Sequence, residues 1–311
     1  MKEFDYIAKY FKPLCDDVIG LQLLDDAACL TPPAGKDLVI TTDTIVEGVH
    51  YLPKTSAGEV ARKLCAVNLS DLAAKGAKPY GCFLNFSPAQ LDEHDLIDFT
   101  QALGEQLKKY NFSLFGGDSV RTGKQSVFSL TLFGLVDHGA MVPRSGACAG
   151  DDIYVSGHIG AGGLGLVDAK AGRESAHAAH YLNPIPRLEL GCALAPHINA
   201  AADISDGVLA DLGHICRASK LTAAIDLSFI PLADPNQNRD AQLCAGDDYE
   251  LVFTAAPQTA SGINEIAKQA GVPISRIGQI IAPATKAQAG QVLDNKGQTI
   301  ELQAKAWSHF G

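Results

Sequence analysis

The order of elements readable in the first 136 residues limits the fold more than any other feature of this chain. Asp37–Val46 (DLVITTDTIV) is rich in β-branched residues and predicts a strand. Ser56-Ala57-Gly58-Glu59 has a capping-box pattern. It opens a helix that runs to about Lys75, where Gly76 and Pro79 stop it. Tyr80–Phe86 predicts a second strand, and Asp92–Tyr110 a long helix with Asp92 as its N-cap. Phe112–Phe115 and Ser126–Val136 predict two more strands around a turn at Thr122-Gly123-Lys124. This succession implies an α+β layout, a mixed sheet with helices on one face.

A boundary is expected near Pro143–Gly150, where the chain is small and Gly-rich, dividing it into domains 1–140 and 141–311. The second domain opens with a strand at Ile153–Ser156, a Gly-rich strand-to-helix connection over Gly157–Gly165 and a helical stretch to about Gly172. Helices are expected from Pro186 to Leu194 and from Ser205 onward. Strands are expected at Ala223–Leu227, Tyr249–Ala255 and Ile274–Ile281, with a polar loop at Asp234–Arg239.

Composition narrows the function. A net charge of −10 argues against a nucleic-acid backbone as partner. Apolar runs fall short of a membrane span, and Met1–Pro13 is charged and amphipathic without a signal-peptide core. A cytoplasmic address is the default expectation. None of the eight cysteines forms a C-x-x-C pair, so they are expected to be reduced thiols, mostly in the core. The acidity is lopsided, with 25 Asp against 10 Glu. Asp is the poorer helix former and belongs at turns, caps and hard-metal sites.

Five short motifs at the ends of expected elements concentrate that Asp. They are Asp25-Asp26-Ala27-Ala28, Thr41-Thr42-Asp43-Thr44, Asn68-Leu69-Ser70-Asp71, Gly116-Gly117-Asp118-Ser119 and Asp203-Ile204-Ser205-Asp206-Gly207. Unpaired carboxylates about 5 Å apart repel by roughly 3 kcal/mol at an effective dielectric near 20. Gathering several therefore calls for cations, and hard oxygen ligands select magnesium, which shares phosphate oxygens with a nucleotide. Each motif also has a plainer reading. Asp25-Asp26 fits a turn, Asp206 fits a helix cap, and the glycines before Asp118 fit either a tight turn or close approach of bare backbone to a phosphate. Asp71 is different. It lies late in its helix, where a carboxylate opposes the dipole, and shares a face with Asn68. The chain has no Walker motif, and Gly157–Gly163 lacks the context of a dinucleotide fingerprint.

In this order, and followed by Gly246-Asp247-Asp248-Tyr249-Glu250-Leu251, the motifs resemble those of the thiamine-monophosphate kinases. The phrases TTDTIVEGVH, NLSDLAAKGAKP, GGDS, RSGACAGDD, DISDG and GDDYEL carry the resemblance along essentially the whole chain. It implies a two-domain AIR synthetase-like (PurM-like) α+β fold. Domain 1–140 would bind ATP and magnesium and form a homodimer, and domain 141–311 would complete the nucleotide and substrate site. The implied activity is phosphorylation of thiamine monophosphate to thiamine diphosphate, with ATP as co-substrate and several Mg2+ ions, by direct in-line transfer.

Residue by residue, the resemblance implies magnesium ligands at Asp26, Thr41, Thr42, Asp43, Asp71, Asp118, Asp203 and Asp206. Of these, Asp43, Asp71, Asp118 and Asp203 form the catalytic heart. ATP contacts are implied at Gly117, Asp118, Arg144 and Ser205, and substrate contacts at His50, Asp247 and Trp307. Arg144 is a fork donor suited to phosphate, and an indole face suits a cationic heterocycle. The sequence departs from the family pattern at Leu24, where Gly is usual, at Asp247, where Glu is usual, and at Trp307, where Tyr is frequent. Two other readings are another ATP-using AIR synthetase-like enzyme and a catalytically silent nucleotide or thiamine-phosphate binding protein. Cys15, in Phe11-Lys12-Pro13-Leu14-Cys15, lacks the Gly-rich mobile setting of a selenophosphate synthetase. The intact aspartates argue against a silent protein.

Overall fold

The computed structural model describes residues 3–90, 92–300 and 302. Contacts divide it into two units, one made of residues 1–72 and 78–139, the other of 73–77 and 140–311. The short stretch 73–77 thus clusters with the second unit, although the sequence reading placed it in the first.

After a short helix α1 (Glu3–Tyr6), the first unit contains β1 (Lys36–Val46), α2 (Ala57–Ala74), β2 (Lys78–Ser87), α3 (Glu93–Tyr110), β3 (Ser113–Ser119) and β4 (Val127–Asp137). The helices start where their caps dictate. Ser56 N and Glu59 Oε2 lie 3.0 Å apart in the reciprocal capping box, and Asp92 accepts from Asp95 N at 2.7 Å. The four strands form one mixed sheet in the order β1-β4-β2-β3, with β2 and β3 parallel. Strand alternation sends Val39 and Ile45, with Cys82, Leu84, Phe86, Phe128, Leu130 and Leu132, into the core. Phe86, Phe99 of α3 and Phe128 close that core with ring centroids 5.0–5.2 Å apart.

The second unit holds a six-stranded sheet in the order β10-β7-β9-β5-β8-β6. Its strands are β5 (Asp152–Ser156), β6 (Ala200–Asp203), β7 (Thr222–Ile225), β8 (Leu251–Ala255), β9 (Ile274–Ile281) and β10 (Val292–Asp294). Its helices are α4 (Ala161–Lys170), α5 (Ala176–Leu182), α6 (Leu188–Leu194), α7 (Val208–Ser219), α8 (Arg239–Cys244) and α9 (Ala260–Ala270). Val208, Leu212, Ile215 and Cys216 of α7 bury against Ile153, Val155, Ala202, Val252 and Ile277 of the sheet. At about 1.5–3 kcal/mol for each fully buried aliphatic side chain, this layer dominates the unit's stability.

Three sequence expectations shift. The Gly-rich connection ends at Gly160, and Gly162, Gly163 and Gly165 already belong to α4. There a Cβ on Gly162 would stand 2.4 Å from Asp247 O, so close packing sets the glycine. The helix expected from Ser205 begins at Val208, with Gly207 rather than Asp206 at its N-cap. The strand expected from Tyr249 begins at Leu251, because Tyr249 has a left-handed φ of 51° that no strand accommodates.

Candidate active site

In the first unit, β1 and α2 bring four of the expected residues together. Thr41 and Asp43 alternate onto the core face of β1, towards α2. Thr41 Oγ1 donates to Asp71 Oδ2. Asn68 Oδ1 accepts from Asp43 N at 3.2 Å, while Asn68 Nδ2 is anchored on Leu64 O at 2.9 Å. Asn68 is fully buried, so it fixes the strand against the helix one turn before Asp71. Burial, followed by the nearby Asp71 charge, pushes Asp43 up to about 7 from its ordinary 3.8. Two carboxylates held this way are an unfavourable pair at neutral pH without a cation. Thr42 faces the other way. Its hydroxyl lies 3.1 Å from that of Thr131 on the opposite face of the sheet, so its side chain does not join Asp43 and Asp71.

A second group lines a cavity of about 440 Å³ in the same unit, which includes Asp25, Asp26, Asn85, Gly117 and Asp118 in its walls. Asp26 N donates to Asp25 Oδ1, and Ser119 N to Asp118 Oδ1, both at 2.8 Å, in exposed backbone. The Gly-Gly-Asp-Ser motif is strand rather than turn. A Cβ at Gly117 would sit 1.9 Å from Leu84 O, so the glycine answers the close approach of β2. Asp43, Leu130, Leu84 and Gly117 occupy one row across the sheet. Three strand spacings, roughly 14 Å, separate Asp43 from Gly117. A ligand that meets both is therefore extended. His50 stands in the turn after β1, where its Nδ1 accepts from Val46 N at 3.0 Å.

In the second unit, Asp203 ends β6 at 4% exposure and Ser205-Asp206 form the loop before α7. The residue that shapes this loop was not read from the sequence. Asp211, 1% exposed, accepts from Ser205 N at 3.1 Å and Asp206 N at 3.0 Å. Burial pushes it up to about 6, with Asp206 adding to the rise and the two backbone donors and Arg144 opposing it. Asp206, Asp211 and His214 bring one ligand atom each within 4.8 Å. Arg144, exposed in the turn Arg144–Gly146, is close enough to lower His214 as well, though burial lowers that imidazole most.

The loop 246–250 runs beside this one. Asp247 N donates to Ser205 O at 3.0 Å, Tyr249 N to Ile204 O at 2.8 Å, and Ile204 N to Glu250 O at 2.8 Å. Motifs forty residues apart are thereby sewn into one structure. Asp248, 1% exposed, accepts from Gly160 N and Gly162 N at the start of α4. Glu250, 2% exposed, is gripped by both Arg187 Nε and Nη2, with Ser156 Oγ a further donor at 2.5 Å. Asp248 and Glu250 belong to the Gly246–Leu251 motif without an expected role, and Arg187 belongs to no motif of the sequence. Trp307 lies outside the described residues.

Comparisons with known proteins identify the family and the fold. Residues 24–136 match the N-terminal domain of AIR synthase related proteins, and residues 149–289 match their C-terminal domain. A thiamine-monophosphate kinase of Caulobacter vibrioides is 42% identical, with 99% of this chain and 90% of the relative aligned. The chain belongs to the thiamine-monophosphate kinase family. Among solved structures, the thiamine-monophosphate kinase of Stenotrophomonas maltophilia K279a matches with a TM-score of 0.84 at 34% identity, covering 96% of this chain and 98% of that one. AaThiL complexed with AMPPCP and TMP matches with a TM-score of 0.78 at 26% identity, covering 99% and 97%. Membership makes the chain a phosphotransferase with the two-domain α+β fold expected from its motifs.

Proposed function

We propose that this enzyme transfers the γ-phosphoryl group of ATP directly to the phosphate of thiamine monophosphate, releasing ADP and thiamine diphosphate. The observation that carries the reading is the Asp43–Asp71 pair, held by Thr41 and Asn68, in which burial and the neighbouring Asp71 charge disfavour the Asp43 carboxylate. Such an all-oxygen donor set fits magnesium, with Asp26 and Asp118 as further ligands in the first unit and the backbone of Thr42 as the only part of that residue beside Asp43; in the second unit Asp203 and Asp206 are the ligands. Bound Mg2+ supplies charge neutralisation at the phosphates.

The chain's own contribution is placement. Asp211 takes up the Ser205 and Asp206 amides and so fixes the loop whose Ser205 contacts ATP, and Arg144 offers a planar fork to the phosphates. Gly117 exposes backbone beside Asp118. His50 and Asp247 hold thiamine monophosphate, and Trp307 covers its heterocycles. An acceptor phosphate oxygen is already largely ionised near neutrality, so attack needs no strong base. One bond forms between that oxygen and Pγ as the bridge from Pγ to the β-phosphate oxygen breaks.

A homodimer joined through the first unit belongs to the same reading. Ile40 is 59% exposed on the edge strand β1, on the face opposite Asp43, where a second copy would cover it. A cytoplasmic address fits as well, since no helix among the described residues is long and apolar enough to cross a membrane.

The reading is tested by titrating ATP into the protein in a calorimeter, once with magnesium and once with excess chelator. Affinity should collapse in chelator, and transfer from chiral thiophosphate ATP should invert phosphorus. Equal affinity in both titrations rules out the magnesium cluster, and net retention rules out direct transfer.

A further inference from the structure

We propose that Tyr249 is a positioning residue that fixes the carboxylate of Asp247 for the substrate. The proposal rests on the reading of Asp247 as a contact to thiamine monophosphate and adds the device that orients it.

The backbone of this motif is unusual. Asp247 has a φ of 65° and Tyr249 a φ of 51°, two left-handed non-glycine residues on either side of Asp248. Asp tolerates that region, whereas for a bulky aromatic it is a true outlier that persists only when its surroundings enforce it. The enforcing contacts are all present. Asp248 is pinned inward by the amides of Gly160 and Gly162 at 2.8 and 2.9 Å. The amides of Asp247 and Tyr249 are tied to Ser205 O and Ile204 O. Glu250 is locked by Arg187 and Ser156. Gly157 accommodates that lock, since a Cβ there would stand 1.9 Å from Glu250 Oε1.

With Asp248 turned inward, the phenol of Tyr249 reaches back to Asp247. Tyr249 Oη donates to Asp247 Oδ1 at 2.8 Å, and the ring is 7% exposed, so packing keeps the hydroxyl in place. A hydrogen bond to a charged acceptor is among the stronger kinds and restricts rotation about the Cβ–Cγ bond. Asp247 itself stands at intermediate exposure, accessible to a ligand while its companions are buried. Its arm is short, with a single methylene between backbone and carboxylate. The reach of such a side chain is set almost entirely by its backbone and by what grips the carboxylate. A rigid acceptor suits a substrate bearing a fixed cation or an amino group, since its orienting cost is already met before binding.

The test is a double-mutant cycle with Asp247→Ala and Tyr249→Phe, which removes one oxygen and keeps the ring. Measured are the KM values for thiamine monophosphate and for ATP, kcat and the melting temperature. Tyr249→Phe should raise the KM for thiamine monophosphate roughly fivefold, the usual worth of one hydrogen bond, and leave the KM for ATP and the melting temperature unchanged. In the Asp247→Ala background the same change should add nothing. An unchanged KM in Tyr249→Phe, or an equal rise with and without Asp247, overturns the proposal. Should Tyr249→Phe melt early, 3-fluorotyrosine at position 249 strengthens the donor without changing the fold, and an unaltered KM for thiamine monophosphate then overturns it too. If Asp247→Ala itself leaves that KM alone while thiamine diphosphate is still formed, the substrate role of Asp247 fails, and the proposal with it. Absence of thiamine diphosphate from the wild-type protein would instead sink the underlying activity.

Discussion

Replacing Asp43 with asparagine separates the catalytic value of this carboxylate from its cost to the fold. Burial and the Asp71 charge push Asp43 up from 3.8 to about 7. Between those values the unfolded chain releases the proton that the folded chain keeps. The metal-free protein therefore loses stability as pH rises through this window, by about 1.4 kcal/mol per pH unit. Below 3.8 the cost is absent, and above 7 it is complete. The accumulated cost is about 4.4 kcal/mol, and residual solvent contact of the side chain brings the expected value to about 2–4 kcal/mol. Asparagine keeps the shape without the charge. In chelator at pH 8, Asp43→Asn should thus melt about 4–10 °C above the wild type. The gap should fall below half at pH 5. With magnesium present its turnover should drop by about two orders of magnitude or more, as the proposed magnesium site would lose a ligand. Scanning calorimetry of both proteins in chelator across pH 5–8 decides the matter. An Asp43→Asn protein that melts at or below the wild type at pH 8, or a gap that does not shrink with acid, refutes the reasoning.

Other residues give sharp expectations of their own. Glu250→Ala leaves Arg187 half-buried without its partner and should cost about 3–5 kcal/mol in denaturant unfolding. A loss under 1 kcal/mol would show that the pair is dispensable. Asp211→Ala strips the amides of Ser205 and Asp206 of their acceptor, and the KM for ATP with magnesium should rise about tenfold. Asp211→Asn keeps an acceptor oxygen and should be milder; equal defects in the two variants would point to charge rather than loop geometry. On the proposed substrate role of Trp307, Trp307→Ala should raise the KM for thiamine monophosphate several-fold, as an indole–cation contact is worth about 0.5–2 kcal/mol, with the ATP constant steady. A change in melting temperature alone would make Trp307 a structural tack.

Much of the first unit could be read from the sequence because local signals agree there with the tertiary environment. β1 is dense in Val, Ile and Thr, and α3 begins at an Asp that caps it in fact. Ile274–Ile281 was read with the bounds it has in the fold. The second unit hides more. Ala200–Asp203 is a buried strand made almost wholly of alanine, which carries little strand propensity, so only its pairing with β8 makes it extended. α8 is not expected from the sequence, because the polar run Asp234–Arg239 takes in its cap, Asn238, and its first turn opens on Arg239-Asp240. α9 went unread although Ile263 and Ala267 repeat at helical spacing.

The site divides in the same way. Asp71 could be suspected because a carboxylate late in a helix has no local excuse, whereas Asp43, in a strand, stood out only through its Thr41-Thr42-Asp43-Thr44 motif. The face of Thr42 follows from strand parity, since it alternates with Thr41 and Asp43 along β1. Asp211 also left a trace, since it stands on the apolar stripe of Val208, Leu212 and Ile215 where a charge should be absent. Arg187 left none. It meets Glu250 from 63 residues away, and only the folded chain brings them together.

The most direct test of the account is to incubate the purified protein with ATP, magnesium and thiamine monophosphate and to resolve the products by chromatography. The account predicts one thiamine diphosphate for each ADP, none in excess chelator, and no phosphorylation when thiamine replaces its monophosphate. ADP formed without thiamine diphosphate, or thiamine itself accepting the phosphoryl group, would contradict it.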